Sequence, residues 1–323
     1  MVNIATVGTN FVLDFFMDGV LHTPQANVVG VCSRSACNAR RVADQYGIGK
    51  IYTSLKALAE DPEVDAVYLA TPNSCHRDQA IQMLASGKHV FVEKPAVTNL
   101  ADYQAVMAAA HAAGKVVMEA MRPVHGPAVT QLREWIAQLG QVRCVHLHSG
   151  KYSSRYDAFR QGDVLNAFNS ALQNSALMDM GVYAVQFLIA LFGLPQQVSA
   201  RAIRLHNGFE GAGSVICSYD GMLANVTYSK ISDAYRGNEI QGEDGTLVFD
   251  SVGAPQAVTL YRRGEAPRTL HARLSGDHPM QYEVADFCAA VEGTLDPRPC
   301  QQWTHDTISL MDEIRRQTGV TFG

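Results

Sequence analysis

The sequence predicts an α/β protein in two parts. A doubly wound parallel domain occupies residues 1–122, and an α+β domain with a large, mostly antiparallel open sheet occupies 123–323. Three observations carry this. Up to Met121, short β-branched runs alternate with helical periods, the signature of βαβ units. The first run, Ile4 to Val7, stops at Gly8 and turns directly into a helix. After residue 197, strands follow one another without intervening helices, which calls for antiparallel pairing.

Composition sets the outer bounds. At 323 residues with 47% hydrophobic content, the chain can fill two cores. A formal charge of −5 without a basic block argues against nucleic acid or anionic lipid as a partner. The seven cysteines are scattered and form no Cys-x-x-Cys pair, which fits a reducing compartment and no evident zinc site. The sequence opens on a strand rather than a leader, so the expected location is cytoplasmic. The run Ala176 to Leu194 is nearly all apolar, but Asp179 within it would cost roughly 2.5 to 3.5 kcal/mol at a membrane centre. A buried core helix is the better reading.

The elements of the first part follow in order. Ile4–Val7 is a strand, and Gly8-Thr9-Asn10-Phe11 turns it into a helix reaching about Leu21. This is where a Gly-x-Gly-x-x-Gly dinucleotide turn belongs, and only Gly8 of its glycines is present. Asn10 stands at the second glycine, as a residue that tolerates the left-handed conformation. Asn27–Arg34 is a strand, and Ala36–Tyr46 is a helix. An NAD site usually places a carboxylate at the end of that strand, whereas here stand Ser33 and Arg34, a hydroxyl donor and a cation suited to a 2′-phosphate. NADP is therefore favoured over NAD.

Val64–Ala70 is the next strand and runs into Thr71-Pro72-Asn73, with a helix from about His76 to Ser86. The strand Lys88–Pro95 has the buried core Val90–Val92 and ends abruptly in Glu93, Lys94 and Pro95, where proline cannot continue the ladder. Ligands of open parallel sheets sit beyond such strand ends, so Lys94 is placed for chemistry; an ordinary exposed ion pair is the alternative. A helix over Leu100–Ala113 and a strand over Lys115–Met121 complete the domain near Arg122.

In the second part, Pro127–Leu139 is a helix and Val142–Tyr152 a half-buried strand, followed by the polar cluster Lys151-Tyr-Ser-Ser-Arg155. Lys151 and Arg155 either line a pocket for a hydroxylated ligand or mark an exposed sheet end. His146 and His148 share a strand face, but a metal reading finds no third ligand nearby. Asp179 is the only formally charged side chain between Asp163 and Arg201, on a helix over Ala176–Phe192 that is apolar nearly all round. A buried carboxylate needs a partner, and Tyr183 lies four residues on, along the same stripe. Short strands follow at Val198–Leu205, Ser214–Tyr219, Met222–Lys230, Asn238–Gln241, Thr246–Asp250, Val258–Arg262 and Arg268–Ala272, with a hairpin at Asp220-Gly221. Helices over Met280–Val291 and Thr304–Gln317 close the chain. Tyr282 either faces the site or sits at a surface boundary.

Taken together, Glu93-Lys94-Pro95, Ala70-Thr71-Pro72-Asn73 with His76, and Asp179-Met-Gly-Val-Tyr183 resemble the glucose-fructose oxidoreductase, inositol dehydrogenase and MocA family (Gfo/Idh/MocA). The resemblance implies a Rossmann domain, a nicotinamide cofactor, and sugar, polyol or similar cyclic alcohol substrates. It also implies a homo-oligomer, dimer or tetramer, built through the open sheet. It carries a cofactor role to Gly8, Thr9, Asn10, Phe11, Ser33, Arg34, Ala70, Thr71, Pro72, Asn73, His76, Glu93, Lys94, Pro95 and Arg122, and a cis bond at Lys94–Pro95. Catalysis falls by the same resemblance to Lys94, Asp179 and Tyr183. Inositol dehydrogenase-like members carry His where Tyr183 stands; Tyr is similar to the glucose-fructose oxidoreductase and dihydrodiol dehydrogenase branches. Tyr183 is then the proton relay, with Lys94 favouring its phenolate and Asp179 placing the substrate hydroxyl or Lys94. Two other activities resemble this pattern: a dinucleotide-binding regulator without turnover, and a glycosidase using bound NAD for transient oxidation.

Overall fold

The computed structural model describes residues 1–271 and 280–322. Its elements begin with β1 (Val2–Val7), α1 (Val12–Leu21), β2 (Ala26–Cys32), α2 (Ala36–Tyr46), β3 (Lys50–Tyr52) and α3 (Leu55–Ala59). They continue through β4 (Ala66–Leu69), α4 (Asn73–Ala85), β5 (His89–Glu93), α5 (Leu100–Ala113) and β6 (Val117–Ala120). The six strands form one parallel sheet in the order β3-β2-β1-β4-β5-β6. The order reverses between β1 and β4, so a crevice opens beyond the carboxyl ends of these two strands. Local chemistry sets the helix ends. Ser35 and Asn99 accept backbone N–H groups at the starts of α2 and α5, and Gly47 and Gly114 end the same helices with φ of 68° and 62°. The short β3 and α3 were not legible in the sequence; three residues carry no period, and Asp61 holds β3 by accepting from Lys50 Nζ and the Tyr52 hydroxyl, each at 2.7 Å.

The chain then forms α6 (Pro127–Ile136), β7 (Val142–Gly150), α7 (Tyr156–Arg160), a π-helical turn over Leu177–Gly181, α8 (Val182–Phe192), β8 (Gln197–Arg204), β9 (Glu210–Tyr219) and β10 (Met222–Ser229). After these come β11 (Asn238–Gly242), β12 (Gly245–Phe249), β13 (Ala257–Arg262) and β14 (Arg268–His271). The expected end of the last strand, Ala272, lies outside the described residues. The eight strands pair in the order β14-β13-β12-β11-β7-β10-β9-β8. All these pairings are antiparallel except β7 with β10, which is parallel. The apolar run that reads as a core helix is one, with Val182, Ala184, Val185, Phe187 and Leu188 buried in α8. Among the described residues no helix is long and apolar enough to cross a membrane.

Last come α9 (Gln281–Val291) and α10 (Arg298–Thr318), the latter starting earlier than its apolar period; just ahead of it, Asp296 Oδ1 accepts from Arg298 N at 3.0 Å. The chain divides into two compact units: Met1–Arg122 with Asp277–His305, and Pro123–Gly276 with Asp306–Gly323. The sequence alone assigned all of 123–323 to a second domain; instead α9 packs in the first core. Its Val284, Phe287 and Cys288 join the cluster of Phe16, Tyr68 and Phe91, where Phe16 stacks on Tyr68 with ring centroids 3.9 Å apart and Phe91 on Phe287 at 4.9 Å. Periodicity shows that a helix has an apolar face but not which core that face fills.

Candidate active site

In the first unit, the turn after β1 is built against the end of β4. Gly8 has φ of 110°, and a Cβ there would lie 2.4 Å from the Ala70 carbonyl oxygen, so only glycine fits. Asn10 does not take the left-handed conformation expected of it; Gln173 is the only non-glycine residue with positive φ among those described. Its side chain substitutes for the missing glycine in another way. Asn10 Nδ2 donates to the Ala70 carbonyl at 2.7 Å, and Oδ1 accepts from Val12 N at 3.0 Å, so one residue ties the β1 turn to the β4 turn and to the first residue of α1. Thr9 is partly buried at this turn, and Phe11 is 75% exposed at the N-terminus of α1.

At the end of β2, Ser33 Oγ accepts from Ser35 N, which leaves its hydroxyl proton available. Arg34 is exposed and makes no hydrogen bond or ion pair among the described residues. A carboxylate is absent from Cys32-Ser33-Arg34, and an unpartnered guanidinium beside a hydroxyl donor is a chemical fit for a phosphorylated nucleotide. Beyond β2 the Ser33 hydroxyl and the exposed Arg34 guanidinium stand side by side, whereas at the start of α1 the N–H groups of Val12, Leu13 and Asp14 are satisfied by Asn10 and Phe11.

The turns after β4 and β5 are joined through His76. Its imidazole is fully buried, with Nδ1 3.0 Å from the Pro95 carbonyl and Nε2 2.9 Å from the Thr71 carbonyl. Burial pushes its pKa down, against the pull of the carbonyls. His76 therefore braces Thr71, Pro72 and Asn73 against the cis Lys94–Pro95 turn from beneath. Tyr68 donates its hydroxyl to Glu93, and Glu119 on β6 accepts from Ala96 N at 2.8 Å and from the Thr304 hydroxyl at 2.9 Å. Burial raises the Glu93 pKa, opposed by the Tyr68 bond and by the charges of Lys94 and Arg122. Glu283 on α9 is 1% exposed, and neither carboxyl oxygen has a hydrogen-bond partner among the described residues. Burial first, then the charge of Glu93, pushes its pKa well above the usual carboxylate value. Tyr282, next to it, is partly buried in this same unit.

In the second unit, Asp179 lies in the π turn and Tyr183 in the first turn of α8. From Ser175 to Ile189, only Asp179, Met180 and Tyr183 reach the surface. The partner that Asp179 required is Lys230, whose Nζ is 2.8 Å from Oδ2; the Lys230 side chain is 3% exposed and that of Asp179 37%. Glu210 fixes the turn itself, accepting from Leu177 N at 3.0 Å and from the Tyr228 hydroxyl at 2.7 Å. Small residues make room: a Cβ on Gly181 would meet the Tyr228 ring at 3.0 Å, and one on Gly213 would overlap the Tyr228 hydroxyl at 2.2 Å. The exposed Lys151 and Arg155 flank a stretch pinned to the end of β10, with Lys151 N donating to Ser229 O at 3.1 Å and Ser153 N to Lys230 O at 2.9 Å.

Sequence reasoning missed Lys230, Glu210, Glu119 and Glu283. Two carried a signal. Lys230 continues the buried phase of Met222, Ala224, Val226 and Tyr228, so a cation stands at a core position of a strand. Glu283 stands one residue from Val284 and four from Phe287, on the apolar stripe of its helix. Glu210 and Glu119 have no such mark, because their partners are far along the chain.

A six-stranded parallel sheet of switch-point topology and a second unit with a mostly antiparallel eight-stranded sheet are the architecture of Rossmann-fold oxidoreductases of two units. The chain belongs to the Gfo/Idh/MocA family. The family's NAD-binding Rossmann-fold oxidoreductase profile matches residues 2–121, and its C-terminal domain profile matches residues 129–248. The chain is 37% identical over 326 residues to scyllo-inositol 2-dehydrogenase (NADP(+)) IolU of Bacillus subtilis, covering 100% of this chain and 98% of that protein. It is 33% identical to trans-1,2-dihydrobenzene-1,2-diol dehydrogenase of Oryctolagus cuniculus, covering 91% of each. The fold is shared with the crystal structure of KijD10, a 3-ketoreductase from Actinomadura kijaniata in complex with NADP and TDP-benzene, at a TM-score of 0.87, 22% identity and 98% coverage of both chains. The protein is an NAD(P)-dependent dehydrogenase or reductase acting on CH–OH groups.

Proposed function

We propose that the chain interconverts a secondary alcohol and a ketone on a polyol, sugar or cyclic diol, with NADP favoured over NAD. The observation that carries this reading is the pair of polar groups, Asp179 and Tyr183, breaking the surface of an otherwise buried helix. The two curated relatives, by name an inositol dehydrogenase using NADP(+) and a dihydrodiol dehydrogenase, support the substrate class. The unpartnered Arg34 beside Ser33 supports the cofactor preference.

A bound nicotinamide supplies the hydride acceptor or donor. The chain's own residues do the rest. Gly8, Thr9, Asn10 and Phe11 receive the dinucleotide, Ser33 and Arg34 recognise its 2′-phosphate, and the turns Ala70–Asn73 and Glu93–Pro95 line the crevice with Arg122. His76 acts through these turns rather than by contact. Tyr183 takes the hydroxyl proton when an alcohol is oxidised and returns it when a ketone is reduced, assisted by Lys94, while Asp179 accepts a hydrogen bond from a substrate hydroxyl. Lys151, Arg155 and Tyr282 are further substrate contacts on this reading. Exposed Ile203, Ile216 and Leu223 on the open sheet support a homo-oligomer.

The test is Tyr183→Phe, assayed with scyllo-inositol and NADP. General acid-base catalysis contributes about 10²- to 10⁴-fold, so turnover falls on that scale while NADPH still binds. Unchanged turnover would assign the proton to another group.

A further inference from the structure

Lys230 is placed where an ammonium is hardest to keep. Its side chain is 3% exposed, and Nζ lies 5.2 Å from the centroid of the Phe168 ring and 5.6 Å from that of Phe209. It donates to the Ala167 carbonyl at 2.7 Å and meets Asp179 Oδ2 at 2.8 Å. Three segments far apart in sequence supply this cage: Ala167–Phe168 after α7, Phe209 ahead of β9, and the π turn. Backbone bonds hold the lysine itself, with Lys230 N donating to Gly211 O and Ser153 N to Lys230 O, both at 2.9 Å. Ring faces and a carbonyl offset part of the desolvation of an ammonium, yet an apolar residue in such a place is often neutral or stabilising by comparison. Stability therefore gives no reason for a cation here. The partner does: Asp179 retains 37% of its side-chain surface, so the buried cation grips a carboxylate that still faces outward.

We propose that Lys230 is a positioning residue for the reaction: it fixes the orientation of the Asp179 carboxylate so that this group accepts a hydrogen bond from a substrate hydroxyl. The inference rests on the proposed polyol or sugar chemistry. In water, a solvated aspartate samples several rotamers and binds a hydroxyl weakly. Anchored through one oxygen to an ammonium in a low-dielectric pocket, the carboxylate is pre-organised, and its hydrogen bond is formed without reordering the side chain. Lys230 touches no substrate in this scheme and acts only through Asp179.

The test is a double-mutant cycle on the full chain with scyllo-inositol and NADP as probes, using Lys230→Met, Asp179→Asn and the double variant. Lys230→Met is expected to lower kcat/KM about tenfold to a hundredfold, the range of one charge-assisted hydrogen bond, with NADPH affinity by fluorescence titration unchanged. Asp179→Asn loses at least as much, and the double variant stays within about twofold of Asp179→Asn, because the lysine then has no carboxylate to orient. Losses that multiply would overturn the inference, as would a Lys230→Met enzyme that melts earlier but turns over normally. Should Lys230→Met not fold, Lys230→Gln keeps an N–H donor without the charge and enters the same cycle. If the wild-type chain turns over neither scyllo-inositol, nor a hexose, nor a cyclic diol, the reading beneath the inference fails, an outcome distinct from multiplying losses in an active enzyme.

Discussion

His89, the first residue of β5, makes the stability of the first unit depend on acid. Its Nδ1 accepts from Val116 N at 3.0 Å, so that nitrogen must be unprotonated for the bond to exist. Protonation would replace the acceptor lone pair with a second N–H facing a first one. Burial, reinforced by the charge of Lys115, pushes its pKa from 6.5 down to about 4. The folded value lies below the unfolded one, so the neutral form contributes stability that is full above pH 6.5 and is lost as pH falls toward 4. At about 1.4 kcal/mol per pKa unit, the loss by pH 4 is about 3 kcal/mol, and partial exposure of the ring reduces this toward half. His89→Asn keeps an acceptor where Nδ1 stands and does not titrate. Urea unfolding of both proteins at pH 7, 6, 5 and 4 measures the difference. Wild type should lose stability faster below pH 6.5, whereas a gap independent of pH would refute the assignment.

The buried Glu283 predicts the opposite slope. Its folded pKa is raised, so the protonated acid is the stable form, and wild type loses stability as pH rises above 4.5 toward the folded value. Glu283→Gln should therefore gain in melting temperature relative to wild type on going from pH 5 to pH 8; a constant difference would show that the carboxyl does not titrate with folding. Arg34→Ala should weaken NADPH binding about tenfold to a hundredfold and leave NADH nearly unaffected, as expected for loss of a charged hydrogen bond. Equal losses, read by fluorescence titration at one salt concentration, would place Arg34 on a group that both cofactors share.

Helix extents were legible without a structure: α2 and α5 run over Ala36–Tyr46 and Leu100–Ala113, the residues their helical periods mark. So were the two sheets, because hydrophobic periodicity is a property of neighbouring residues. The strand-end carboxylate, lysine and proline, the aspartate in an apolar helix, and the cation beyond β2 were visible for the same reason, each conflicting with its immediate surroundings. Tertiary structure decided what those residues meet. No local rule pairs Asp179 with Lys230, Glu210 with Leu177, or Asn10 with Ala70, since each contact spans more than 30 residues and depends on which elements pack together. The same holds for α9, whose apolar face fits any core until packing selects one. The sequence alone determined where polar groups had to find partners; the fold determined which partners they found, because charge and hydrogen bonding are satisfied by proximity in space and not along the chain.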